Sequence, residues 1–241
     1  LGGILRREGV VATPLSVAGI REITEKRKTD DPKRYKIVEI FYTIQGEGDH
    51  AGEAAIFVRF SHCNLACEWC DTAYDTGLWM TKEEVVNAVD HTWCKDYKID
   101  GLPIIVMTGG EPSLQVDEAL VSALQTAGYP LTMETNGILW KPIMSAFTTI
   151  TVSPKTKNGW WTERYPDRAR FTSIKVVYDL ANPHFHEILA RARIAPHRKL
   201  YIQPLENQAD KSTNVDLVIE FIKTNPTWKL SLQTHKILGV R

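Results

Sequence analysis

The feature that most constrains the fold of this chain is a repeated order of short apolar runs, polar clusters and helical patterns. Runs of strand character lie at Ile37–Tyr42, Ala54–Phe60, Ile104–Met107, Leu131–Glu134, Thr149–Val152, Ile174–Tyr178, Leu200–Gln203 and Leu230–Gln233. Helical patterns separate many of them. Thr81-Lys-Glu-Glu84 is a capping box ahead of Val85, Val86 and Val89. Leu114–Ala127 carries apolar residues at helical spacing and stops at Gly128, and His184–Ala195 and Asn214–Lys223 complete the set. Continuous apolar strands alternating with helices imply an α/β fold with a mostly parallel sheet.

The polar clusters follow the strands' C-terminal ends. They are the cysteine loop after Phe60, Thr108-Gly-Gly-Glu-Pro112, Glu134-Thr-Asn-Gly137, Ser153-Pro-Lys155, Gln203-Pro204 and Gln233-Thr-His235. In barrel-type α/β proteins the βα loops converge on that face and build the site there, and about six such strands are too few to close an eight-fold barrel. The expected architecture is a partial, open β/α barrel. Its strand order does not follow from the pattern.

Bulk properties narrow the function. The 241 residues suit one domain with a substantial core, and Lys+Arg and Asp+Glu balance at 29 each. That balance gives no field favouring nucleic acid or an anionic membrane, and no apolar run reaches spanning length. Arg6, Arg7 and Glu8 interrupt the short apolar stretch near the start, so no secretory signal is expected there. A soluble, cytoplasmic protein is expected. Residues 1–35, charge-rich from Arg21 onward, read as an extension wrapped on the surface or partly disordered, ahead of a domain over 36–241.

Three of the four cysteines sit in Cys63-Asn-Leu-Ala-Cys67-Glu-Trp-Cys70. A structural zinc site takes four ligands, and a fourth would have to come from His62, His91 or Cys94. Three closely spaced thiolates suit instead a cuboidal iron–sulfur cluster with one iron left open. Cys94 reads as an ordinary helix residue.

The cysteine spacing resembles the signature of radical S-adenosylmethionine enzymes, and Thr108-Gly-Gly-Glu-Pro112 resembles their second motif, which meets the amino group of the cofactor. The resemblance implies a 4Fe-4S cluster on Cys63, Cys67 and Cys70, with S-adenosylmethionine chelating the open iron and yielding a 5′-deoxyadenosyl radical. A narrower set of motifs is similar to the 7-carboxy-7-deazaguanine synthase family. It comprises Glu39-Ile-Phe-Tyr-Thr-Ile-Gln45-Gly46-Glu47-Gly48, Phe57-Val-Arg59-Phe60, Cys70-Asp71-Thr72, Glu134-Thr-Asn-Gly137, Ser153-Pro-Lys155, Lys175-Val-Val177, Gln203-Pro204 and the tail Leu230-Ser-Leu-Gln-Thr-His235-Lys236. That family converts 6-carboxy-5,6,7,8-tetrahydropterin to 7-carboxy-7-deazaguanine with loss of ammonia, in the pathway to queuosine.

Residue chemistry fits a flat, carboxylated heterocycle. Gln45-Gly46 offers an amide and exposed backbone at a strand end, against the plainer reading of a turn glycine beside a solvated glutamine. Arg59 has the planar fork that suits a carboxylate, against a structural salt bridge. The resemblance places Ile44, Gln45, Gly46, Arg59 and Thr108 on the substrate side and Thr72 on Mg²⁺. It places Gly110, Ser153, Pro154, Lys155, Gln203, Pro204, Leu205 and Glu206 around S-adenosylmethionine, with Glu206 departing from the family pattern. Glu134 and His235 are the remaining polar candidates near the pterin. Arg241 is expected to fold its terminal carboxylate toward the pterin's N–H edge, against an exposed flexible end. The resemblance further implies a homodimer and an external electron donor such as a flavodoxin or ferredoxin. Two rivals share part of the pattern: a glycyl-radical activase, which leaves Gln45, Arg59 and the tail unexplained, and a zinc-stabilised binding module.

Overall fold

The computed structural model describes residues 33–93, 101–162, 171–195 and 198–240. Cys94, Arg241 and residues 1–32 of the expected extension lie outside them. The strands are β1 (Tyr35–Ile44), β2 (Ala54–Phe60), β3 (Leu78–Met80), β4 (Ile104–Gly109), β5 (Leu131–Thr135), β6 (Thr149–Val152), β7 (Ser173–Tyr178), β8 (Lys199–Pro204) and β9 (Trp228–Leu230). They form one open sheet in the order β3-β1-β2-β4-β5-β6-β7-β8-β9. From β2 through β9 every neighbour is parallel, and β1 runs antiparallel to both β2 and β3. The sheet is mostly parallel and unclosed, as the pattern of strands and helices implied.

The helices are α1 (Lys82–Thr92), α2 (Glu118–Thr126), α3 (Phe185–Ile194), α4 (Val215–Thr224) and α5 (Thr234–Leu238). The capping box of α1 is formed in full: the Glu84 N–H donates to the Thr81 hydroxyl at 3.3 Å, and the Thr81 N–H to the Glu84 carboxylate at 2.7 Å. Val85, Ala88, Val89 and Thr92 are its buried stripe, the i, i+3, i+4, i+7 spacing of an amphipathic helix.

Strand periodicity positions the site. Ile56, Val58, Met107, Met133, Ile174, Val176 and Ile202 share the buried core with the apolar faces of the helices, among them Val85, Leu120 and Ile188. Phe57, Arg59, Thr108, Glu134, Lys175, Val177 and Gln203 have the opposite parity and line a cavity. The period of two along a strand thus separates a dry face from a chemical one.

Three elements differ from expectation. The helix expected from Leu114 starts at Glu118, because Asp117 caps it by accepting the Leu120 N–H at 3.0 Å while Pro112–Leu114 forms a separate 3-10 turn. The short strand β3 has only three residues of sequence signal. The last strand ends at Leu230 rather than running to Gln233. β8 ends there in Pro204, which offers no N–H to prolong the ladder, and Gln233 instead precedes α5.

Candidate active site

The cysteine loop leaves β2 through a tight corner. His62 has φ +70°, a left-handed conformation uncommon for a residue other than glycine, and its N–H donates to the Tyr74 carbonyl at 3.0 Å. Cys63, Cys67 and Cys70 are all free and all line the cavity. Burial pushes the Cys63 and Cys67 thiols above the ordinary thiol value, and neighbouring negative charge, including the other thiols, adds to the shift.

The glycines after β4 let this loop lie against its neighbour. A Cβ on Gly110 would stand 2.0 Å from the His62 carbonyl oxygen, and one on Gly109, at φ +120°, would stand 2.2 Å from the Phe60 oxygen. The absent Gly110 side chain therefore makes room first for the cysteine-loop backbone, with the residue still lining the cavity. The Gly110 N–H donates to Phe60 at 2.9 Å and the Glu111 N–H to His62 at 2.8 Å. Glu111 is fully buried and accepts from the Ser113 N–H, the Thr135 hydroxyl and the Asn136 N–H. It fastens the loops after β4 and β5 together, while Asn136 donates to Asn64 inside the cysteine loop at 2.7 Å.

Opposite the cysteines, the β1–β2 connection and the strand ends form a charged network. Gln45 is buried and donates to Glu134 at 2.9 Å. Lys175 projects from the middle of β7, pairing with Glu47 and, at 3.3 Å, with Glu134. Burial disfavours both members of the Lys175–Glu47 pair as ions, but their mutual attraction wins. Lys175 is held above the ordinary lysine value, with Glu134 contributing, and Glu47 below the ordinary carboxylate value.

Arg59 spends its Nε on Glu39, its cross-strand partner, at 2.8 Å and directs an Nη toward the Thr72 hydroxyl at 3.3 Å. Both the structural bridge and the cavity-facing fork are therefore present. Thr72 also lies 3.4 Å from the Asp71 carboxylate. Thr108 and Ile44 line the same cavity.

On the flank toward β6–β8 lie Ser153, Lys155, Gln203, Pro204, Leu205 and Glu206. Pro154 is buried, and Lys155 and Ser153 on either side of it line the cavity. The Lys155 ammonium donates to the Ser153 hydroxyl at 2.6 Å and lies over the Trp69 ring at 5.4 Å. Burial moves it below the ordinary lysine value. The Gln203 amide oxygen is buried with no hydrogen-bond partner, an acceptor that a bound molecule's donor would satisfy.

The tail closes the remaining side. The Thr234 N–H and hydroxyl both donate to the Gly46 carbonyl, at 3.1 and 3.0 Å, bringing His235 against Gly46. Burial holds His235 below the ordinary histidine value, so the ring at neutral pH is mainly the uncharged imidazole. Lys236 bridges Asp71 and Glu206 at 2.9 Å each, and Gln233 donates to Glu47 at 2.9 Å.

Three closely spaced thiols lining one cavity are a donor set that fits a cuboidal iron–sulfur cluster. A cuboidal cluster would engage each thiolate through a different iron. The same metal charge would draw off the thiol protons that burial retains.

Glu47 and Lys175 stood inside quoted motifs but drew no role from the sequence. The signal for Lys175 was a lysine inside an apolar run, Ile174–Tyr178, since lysines are almost never buried without a partner. Asp71, Glu111 and Gln233 likewise lie within the motifs Cys70-Asp71-Thr72, Thr108-Gly-Gly-Glu-Pro112 and Gln233-Thr-His235, with nothing local to mark their own partners.

Comparison with known proteins agrees with this geometry. A profile of the radical SAM superfamily matches residues 57–156. The 7-carboxy-7-deazaguanine synthase of Bacteroides thetaiotaomicron is 37% identical over 208 residues, covering 86% of this chain and 98% of that protein. The one from Caulobacter vibrioides is 33% identical over 226 residues, covering 86% and 99%. The crystal structure of QueE from Escherichia coli superposes with a TM-score of 0.60 at 26% identity, covering 83% of this chain and 93% of that one. The chain belongs to the 7-carboxy-7-deazaguanine synthase family, within the radical SAM superfamily.

Proposed function

We propose that this chain converts 6-carboxy-5,6,7,8-tetrahydropterin to 7-carboxy-7-deazaguanine, with Cys63, Cys67 and Cys70 holding a 4Fe-4S cluster. The observation that carries the reading is that the three cysteines and the Gln45–Glu134–Lys175 network line one cavity from opposite sides. When bound, the cluster and S-adenosylmethionine supply a one-electron reduction and a carbon radical that abstracts a substrate hydrogen. The protein's own residues bind, orient and exclude water.

Ser153, Lys155, Gln203, Leu205 and Glu206 hold S-adenosylmethionine, the orphaned Gln203 oxygen accepting one of its donors. Pro154 and Pro204 shape that flank, and Gly110 brings the second motif against the cysteine loop. On the far side Gln45 and Glu134 offer an amide and a carboxylate to the heterocycle's edge. Lys175 pairs with the carboxylates of Glu47 and Glu134 and offsets one of their two charges. The free face of the Arg59 fork takes the substrate carboxylate, and Thr72 beside it would supply a hydroxyl ligand to a bound Mg²⁺, which would supply positive charge to that carboxylate. His235 and Gly46 close over the ring, with Ile44 and Thr108 packing against it. Arg241 is assigned to the substrate side as well, on the family resemblance alone.

The electron comes from an external carrier of flavodoxin or ferredoxin type, and the working form is a homodimer. No helix among the described residues is long and apolar enough to cross a membrane.

Metal content and binding test this reading. Anaerobically prepared protein should be brown with about four irons per chain. It should bind the carboxypterin more weakly after Gln45→Ala. Colourless protein with one zinc, or binding unaffected by Gln45→Ala, would count against it.

A further inference from the structure

The connection between β1 and β2, residues 45–53, does not turn back as a simple hairpin. Its neck is closed by Gln45 and Glu53, the Gln45 N–H donating to the Glu53 carbonyl at 2.8 Å. Beyond the neck it reaches across the inner side of the sheet and meets the successive strands one residue at a time. Gln45 meets Glu134 of β5, His50 meets Thr149 of β6 at 2.9 Å, and Glu47 meets Lys175 of β7. Asp49 is held at β8, where the Tyr201 hydroxyl donates to it at 2.6 Å and the Lys199 ammonium at 3.0 Å. The Gly48 N–H then donates to the buried Ser231 hydroxyl, just after β9, at 3.1 Å.

Two of these contacts lie in the cavity and the others do not. Asp49 and Tyr201 are absent from its lining, yet the Asp49 side chain is only 5% exposed. Burial and the Asp49 carboxylate both raise the Tyr201 hydroxyl above the ordinary phenol value, so it remains a donor. A hydrogen bond to an ionised partner at this distance is among the stronger kinds.

We propose that Asp49, held by Tyr201 and Lys199 on β8, is a positioning residue that sets the height of Gln45, Gly46 and Glu47 across the barrel and so governs substrate affinity. The proposal rests on the reading of Gln45 and Gly46 as substrate contacts. The strap has little slack at its working end, since a Cβ added to Gly46 would lie 2.1 Å from His235 Nδ1. A displacement released at Asp49 is three residues from that contact, so it reaches the substrate-facing groups directly.

The test compares Tyr201→Phe, Asp49→Asn and Gln45→Ala in cluster-loaded protein, reading the carboxypterin KM, kcat, the pterin Kd without reductant, and thermal stability. Tyr201→Phe keeps the ring and removes the donor; KM and Kd should both rise by up to about tenfold, the ceiling reached when the whole worth of that one bond is transmitted to the substrate contacts, with kcat within about twofold. Asp49→Asn still accepts from Tyr201 and should show a smaller rise in both, the partial rescue that mere loss of stability would not give. Folded Tyr201→Phe and Asp49→Asn proteins with unchanged KM and Kd, while Gln45→Ala raises both, would overturn the positioning role alone. Unchanged values in Gln45→Ala would overturn the substrate reading beneath it.

Discussion

Gly46 packs against His235 so closely that a β-carbon on the glycine would stand 2.1 Å from Nδ1 and 2.9 Å from the histidine backbone nitrogen. The contact joins the β1–β2 connection to the tail, and the Thr234 bonds to the Gly46 carbonyl hold it shut. Gly46→Ala must therefore push the tail away. Overpacking of this kind costs about 1–3 kcal/mol. The pterin KM should rise at least about tenfold if His235 and Gly46 close over the ring. Steady-state kinetics and a thermal melt check both effects.

Lys175 pairs with two carboxylates in a buried setting, so Lys175→Met leaves them facing each other with no cation between them. Breaking a buried pair by removing one partner costs about 3–5 kcal/mol. Chemical denaturation should show a loss of that size at pH 7, and Lys175→Arg should recover part of it.

The same pair fixes a pH dependence. The Glu47 carboxyl is depressed in the folded protein, so its contribution is present above the unfolded carboxylate value and is lost as pH falls through the folded one. Lys175 is raised, so its contribution is full below the unfolded lysine value and is lost only as pH rises through its folded value. Between about pH 5 and pH 9 the pair should therefore contribute a constant stability. A plot of unfolding free energy against pH should fall on the acid side in the wild type and lose that component in Lys175→Met.

Lys236 bridges Asp71 and Glu206 at the solvent edge, with about a third of its side chain exposed. Exposed pairs contribute about 0–1 kcal/mol and are screened by salt. Lys236→Met should scarcely change the melting temperature. If the bridge helps to seat the tail, the wild-type pterin KM should rise with salt while that of Lys236→Met stays nearly flat.

The fold was legible because its signals are periodic. Val85, Ala88, Val89 and Thr92 recur at helix spacing behind a complete capping box, and the strands of β4 to β8 are apolar enough to stand out singly. The cysteine triad and the Gln45, Arg59 and Glu134 positions were legible for a related reason: each sits where a strand delivers a polar residue to one face. The strand order and the β1–β2 strap were not, since neither leaves a periodic trace. Asp49 pairs with a residue 152 positions away, and nothing local to either marks the contact.

The central claim is that one cavity holds both a cluster and a carboxypterin. Its most direct measurement is product formation by anaerobic, cluster-loaded protein given S-adenosylmethionine, Mg²⁺, reductant and 6-carboxy-5,6,7,8-tetrahydropterin. The prediction is 7-carboxy-7-deazaguanine and ammonia in equal amounts, abolished by Cys63→Ala and sharply reduced by Gln45→Ala. A fully loaded wild-type protein that leaves the pterin unchanged would contradict it.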